Sequence, residues 1–164
     1  MTPIELVAAM KQHVARLASQ RGAAGEVEAL GSMANWLPRP KGPGLKVLLA
    51  ALGASGIVIK KSSFDAIAMP EARSLDFCDQ TAVQAALKDM VFVEIKTANQ
   101  ERVGADFSGY FFSLTESEIA ASEALGNRHR VALYNKSTRV LVMTSVPEIL
   151  ARAKSVNWQV SIQL

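Results

Sequence analysis

Cysteine is nearly absent from this chain of 164 residues: Cys78 stands alone. That excludes an internal disulfide framework and a cluster of thiolate metal ligands, and Cys78 reads as a small, buried or half-buried apolar residue. Histidine is scarce as well. His13 and His129 are the only two, and without companion ligands neither suggests a metal site or a catalytic base. No apolar run approaches the roughly 18–20 residues needed to span a bilayer. The N-terminus has no basic stretch leading into a hydrophobic one, so it does not read as a secretory signal. Repeats and low-complexity tracts are lacking too. Together these absences predict a cytoplasmic protein without membrane contact.

What is present suits one globular domain spanning residues 1–164. Hydrophobic residues make up 49% of the chain and charged residues 20%, enough to bury a core. The net charge of +3 permits a polyanionic partner without requiring one.

Three capping boxes punctuate the chain. Thr2-Pro3-Ile4-Glu5 opens a helix whose Ile4, Val7, Met10, Val14 and Leu17 recur on one face, and a second helix is expected over 25–37. The Pro/Gly-rich stretch from Pro38 to Gly44 then separates a helical N-terminal segment, 1–40, from an α/β core over 45–164. Leu45 to Leu52 reads as helix with Gly53 as its C-cap. Ile57-Val58-Ile59 and Phe64 to Ala68 read as a hairpin turning at Lys60 to Ser63. A short helix over Thr81 to Lys88 precedes the strand Val91 to Thr97, and Asn99 to Gly109 is a polar loop.

Tyr110 to Leu114 reads as another strand. Thr115-Glu116-Ser117-Glu118 starts a helix through Leu125 that closes at Gly126-Asn127. Arg130 to Tyr134 and Arg139 to Met143 form a strand pair, and Ser145-Val146-Pro147-Glu148 leads a last helix through Lys154. Val160 and Ile162 alternate with polar residues at the end of the chain. The fold class is α/β, a central mixed sheet flanked by helices. Trp36 and Trp158 are expected in its core.

One strand departs from this ordinary pattern. Val91-Phe92-Val93-Glu94-Ile95-Lys96-Thr97 should be buried, yet Glu94 and Lys96 point to the same face of it. Burying an unpaired charge is costly, so a reason is needed. Asp65 lies in a second apolar run 29 residues upstream of Glu94. Two carboxylates can hold a divalent cation that polarises a phosphate and lowers the pKa of an attacking water. The backbone carbonyl of Ile95 could add a third oxygen, and Lys96 would orient the water. The pattern also has a plain reading, an exposed ion pair on an edge strand that contributes little.

Phe64-Asp65, Val93-Glu94-Ile95-Lys96-Thr97, Phe111-Phe112-Ser113-Leu114, Thr115 to Glu118 and Arg130 to Tyr134 resemble the PD-(D/E)xK nuclease superfamily. The likeness is greatest to the domain at the C-terminus of the plant NO VEIN protein, which is related to Mrr-type restriction endonucleases, and it covers roughly residues 57–145. The resemblance implies a restriction-endonuclease-like core, catalytic positions at Asp65, Glu94 and Lys96, Mg²⁺ or Mn²⁺ as cofactor, and DNA as substrate. Ser113 and Glu118 match pattern positions, Glu118 being accounted for as the capping-box partner of Thr115. Glu26 or Glu28 could be the glutamate that members place on a helix before the sheet.

Lys60, Lys61 and Arg102 flank the expected site as contacts for the nucleic-acid backbone. Arg128 and Arg130, around His129, form a basic cluster that could also meet phosphates, or equally a solvated turn. Three functions remain open on the sequence: a metal-dependent deoxyribonuclease in restriction, repair or phage defence, able to act as a homodimer or within a larger complex; a catalytically silent module binding nucleic acid or a partner protein; and an unrelated α/β domain.

Overall fold

The computed structural model describes residues 35–164, apart from Arg73 and 158–161. The expected helices over 1–34, the glutamates Glu26 and Glu28, His13 and Trp158 lie outside the described residues. Strands β1 (Trp36–Pro38), β2 (Ala66–Ala68), β3 (Val91–Ala98), β4 (His129–Asn135) and β5 (Val140–Thr144) form one sheet in that order. β3 and β4 run parallel, and every other neighbouring pair is antiparallel. The helices are α1 (Gly42–Ala54), α2 (Gln80–Ala86), α3 (Glu116–Leu125) and α4 (Val146–Arg152), with a 3-10 turn after α2 and another after α3. The protein is thus α/β, a mixed sheet flanked by helices. Among the described residues no helix is long and apolar enough to cross a membrane.

Side chains alternate across the strands and divide the core in two. Trp36, Ala66, Val93, Ile95, Ala132 and Tyr134 cluster on one face. On the other, Ile67 and Phe92 pack with Leu48, Leu52, Val83 and Leu125 from α1, α2 and α3. Further along that same face, Ala98, Val131 and Leu133 pack with Val103, Phe107 and Val146. Glu94 and Lys96 lie between Phe92 and Ala98 on β3. They occupy the seam where these two apolar clusters meet.

Several expected elements resolve differently. The last residues assigned to a second helix, Trp36 and Leu37, instead start the sheet, because Trp36–Pro38 pairs with Ala66–Ala68. The core therefore begins before the Pro/Gly-rich stretch, and residues 36–38 leave the helical N-terminal segment. α1 starts at Gly42, with Pro43 in its first turn, where a missing N–H costs nothing. It runs past Gly53 to Ala54, and the cap glycine is Gly56, whose φ of +83° favours glycine. There Gly56 N–H bonds the Gly53 carbonyl at 3.0 Å and Ile57 N–H bonds the Leu52 carbonyl at 3.0 Å, a Schellman motif.

Ile57-Val58-Ile59 is accordingly no strand. β2 already has β1 on one edge and β3 on the other, so no hairpin turns at Lys60 to Ser63. Tyr110 to Leu114 forms no strand either. Its alternation arises because Tyr110, Phe112 and Leu114 pack onto the sheet's face, leaving Phe111 74% exposed. Cys78 is exposed rather than buried, and the last helix stops at Arg152, short of Lys154.

Candidate active site

β2 ends where the site begins. Ala66 pairs with Val93, and Asp65, just before it, leaves the regular register while staying near enough to Glu94 for its charge to act on that carboxyl. Asp65 N–H still bonds the Val93 carbonyl at 2.8 Å. Its side chain then replaces the next rung of the ladder: Oδ2 accepts the Ile95 N–H at 2.9 Å. The Ile95 carbonyl leaves β3 on the same side as that N–H, toward Asp65.

β3 contributes the other two predicted residues. Lys96 Nζ lies 2.9 Å from Glu94 Oε1 and 3.0 Å from both Glu118 Oε1 and Glu118 Oε2. Glu118 stands at the third position of α3, where its Oε2 also accepts the Thr115 N–H at 2.9 Å. The Thr115 hydroxyl returns the bond by accepting the Glu118 N–H at 3.1 Å. The capping box expected from the sequence is complete, and the same glutamate fastens α3 to β3. Glu94 Oε2 is buried and has no hydrogen-bond partner.

The electrostatics follow from this crowding. Three carboxylates meet two cations, Lys96 beside Glu94 and Glu118 and Arg39 beside Asp65, leaving one negative charge in excess when all are ionised. Burial, then the negative charges of Asp65 and Glu118, push the Glu94 carboxyl well above the usual range, against the pull of Lys96. Burial also raises Asp65, while the Ile95 amide, Lys96 and Arg39 oppose the rise. Burial alone would lower Lys96, but Glu94 and Glu118 more than reverse it, so the ammonium stays charged. Tyr110 is close enough to feel that ammonium, though burial dominates and pushes its phenol up to about 12.

The segment carrying Asp65 is braced from two sides. Arg39 Nη1 donates to the Phe64 carbonyl at 2.7 Å and the Lys61 carbonyl at 3.0 Å, and it lies 4.0 Å from Asp65 Oδ1. The buried His129 ring meets the Ser63 carbonyl through Nε2 at 3.1 Å, which requires that nitrogen to carry the proton. Burial lowers the His129 pKa and favours the neutral ring, while the bond to the Ser63 carbonyl pulls the other way.

No protein-family model matches the chain, and no curated protein and no solved structure matches it. The site is therefore argued from its own geometry. Asp65, Glu94, the Ile95 backbone and Lys96 come together. Lys60 and Lys61 are exposed on the segment leading into Asp65. Ser113 is half-buried between Phe112 and Leu114.

The remaining basic residues make contacts or take faces of their own. Arg102 is exposed, its Nε donating to Gln100 Oε1 at 3.0 Å. Arg128 braces the turn after α2 by donating to the Leu87 carbonyl at 2.8 Å. Arg130 pairs in register with Val93, which puts it on the face turned away from Glu94 and Lys96. Among the described residues no group of three or more His, Cys, Asp or Glu side chains could hold a metal ion, so a cation here would rest on two carboxylates and a backbone carbonyl. Arg39, Tyr110 and the ionic role of Glu118 went unread in the sequence. Only Glu118 had a signal there, its capping-box position.

Proposed function

We propose that this protein is a Mg²⁺- or Mn²⁺-dependent nuclease with a restriction-endonuclease-like core, hydrolysing phosphodiester bonds in DNA. The observation that carries the reading is the convergence of Asp65 on the Glu94-Ile95-Lys96 strand. Residues 29 apart in sequence come together where the chain enters β2. An accidental Glu-x-Lys pair on a solvated edge has no reason to sit in the seam between two apolar clusters.

The residues present fit a divalent cation. The site has negative charge in excess, and Glu94 Oε2 is a buried carboxylate oxygen without a partner. Oxygen donors of this kind suit Mg²⁺ and Mn²⁺ rather than softer metals. Asp65, Glu94 and the Ile95 carbonyl would hold the cation, whose chemistry is to polarise the phosphate and acidify a water. Lys96 keeps its proton and donates it as a hydrogen bond to the attacking water. Glu118 holds that ammonium in place from α3. Asp65 would keep Oδ2 on the Ile95 amide and offer Oδ1 to the cation.

A catalytically silent module binding nucleic acid or a partner protein is the second reading. It is favoured by the clasp of Lys96 between Glu94 and Glu118, which engages the ammonium without substrate. Cleavage of supercoiled plasmid and single-stranded DNA with Mg²⁺ or Mn²⁺ separates the two. The nuclease reading expects cleavage that Glu94→Ala and Lys96→Ala each abolish. Cleavage unchanged in both variants overturns it, and salt-dependent binding without cleavage supports the second reading.

A further inference from the structure

We propose that the cavity beside Asp65 is a phosphate site that holds a second, uncut phosphate of the nucleic-acid strand. This rests on the nuclease reading for the identity of the strand but not for its binding. The cavity, of about 300 Å³, is lined by Arg39, Lys41, Leu45, Lys61 and Ser62, among others. Its polar lining is almost entirely cationic, and no carboxylate contributes to it. Lys41 and Lys61 are exposed, and neither forms an ion pair within 4.0 Å among the described residues. α1 starts at the cavity's edge with no acidic residue in its first turn, so among the described residues no ion pair neutralises the lysines.

Arg39 joins the cavity to the candidate active site. Its guanidinium is fixed by two backbone carbonyls and faces Asp65 Oδ1 at 4.0 Å, while the residue lines the cavity. Clustered cations of this kind suit a phosphodiester oxyanion, which needs charge and several donors rather than an apolar pocket. With one phosphate at Asp65 and Glu94 and another at Lys41 and Lys61, the strand's path is set by two points. The cavity thus positions the strand and reads no base.

The test measures DNA binding by fluorescence anisotropy across a salt series, in calcium to hold cleavage off, for wild type and Lys41→Ala/Lys61→Ala. Lys88→Ala/Lys154→Ala is the control of equal net charge, since both its lysines are exposed and absent from the cavity lining. Cleavage in Mg²⁺ is followed alongside. The proposal expects the cavity variant to bind about tenfold more weakly at 0.1 M salt, with a salt slope shallower by about one to two. The control should keep the wild-type slope.

Equal slopes for the cavity variant and wild type, or equal losses in cavity variant and control, overturn the phosphate site. If wild type binds but does not cleave, and only the cavity variant loses slope, the nuclease reading fails while the phosphate site stands. Cleavage intact with the slope unmoved has the opposite meaning. No salt-dependent binding by wild type overturns both.

Discussion

Glu118 reaches Lys96 with both carboxylate oxygens, each 3.0 Å from the ammonium, and with one of them also holds the Thr115 amide that caps α3. One side chain therefore serves the helix start and the buried charge together. These two roles separate by mutation. Glu118→Gln keeps an acceptor for the Thr115 N–H, whereas Glu118→Ala loses the cap and uncovers part of a buried ammonium. We expect Glu118→Ala to cost about 3–5 kcal/mol, as for breaking a buried pair. Glu118→Gln should cost about 1–2 kcal/mol less than that, the worth of a cap. Urea denaturation measures both, and equal losses contradict the double role.

How much of this was legible in the sequence depends on distance along the chain. The Thr115 box, the strand over Val91 to Thr97 and the β4–β5 pair were legible because each is set by local pattern. The failures came where a long-range partner decides. Ile57-Val58-Ile59 has strand composition but finds no free sheet edge. Tyr110 to Leu114 alternates because it lies across a sheet face. Trp36–Pro38 becomes a strand only through Ala66–Ala68. Asp65, Glu94 and Lys96 were legible as misplaced charges in apolar runs. Arg39 was not, since an arginine between two prolines carries no mark of the carbonyls it will meet.

The raised Glu94 carboxyl makes stability depend on pH in a defined direction. A carboxyl whose pKa is higher folded than unfolded binds more protons in the folded state. Its ionisation therefore removes stability as pH rises from about 4.5 through the folded value. Lys96, raised as well, stays charged throughout that window. Glu94→Gln removes this titration, so its melting temperature relative to wild type should rise between pH 5 and pH 8 in metal-free buffer. A difference that stays flat or falls over that range contradicts the assignment.

Asp65 carries a structural bond and a proposed ligand on different oxygens. Asp65→Asn retains an oxygen for the Ile95 N–H and should remain within about 1 kcal/mol of wild type, while cleavage falls by about 100-fold or more. Asp65→Ala leaves that amide unpaired in a buried site, costing about 1–3 kcal/mol. Thermal melts beside plasmid cleavage check the pair. Equal stability of the two variants would show that the Ile95 bond contributes little.

His129 is predicted to act through Ser63 alone. His129→Leu removes the donor from a buried carbonyl and should cost about 1–3 kcal/mol. Because Ser63 lies two residues before Asp65, cleavage should weaken as well, with a larger loss at 37 °C than at 20 °C as the segment loosens. Hydrogen exchange at the Asp65 and Ile95 amides reads the loosening directly. Unchanged protection there would confine the role of His129 to packing.

The most direct test of the central claim is Mn²⁺ binding by electron paramagnetic resonance, on wild type, Asp65→Asn and Glu94→Gln. We expect one Mn²⁺ per wild-type chain, displaced by Mg²⁺, with affinity at least tenfold weaker in each variant. Binding of the same strength in all three proteins, or none in the wild type at millimolar Mn²⁺, would contradict a metal-dependent site at Asp65 and Glu94.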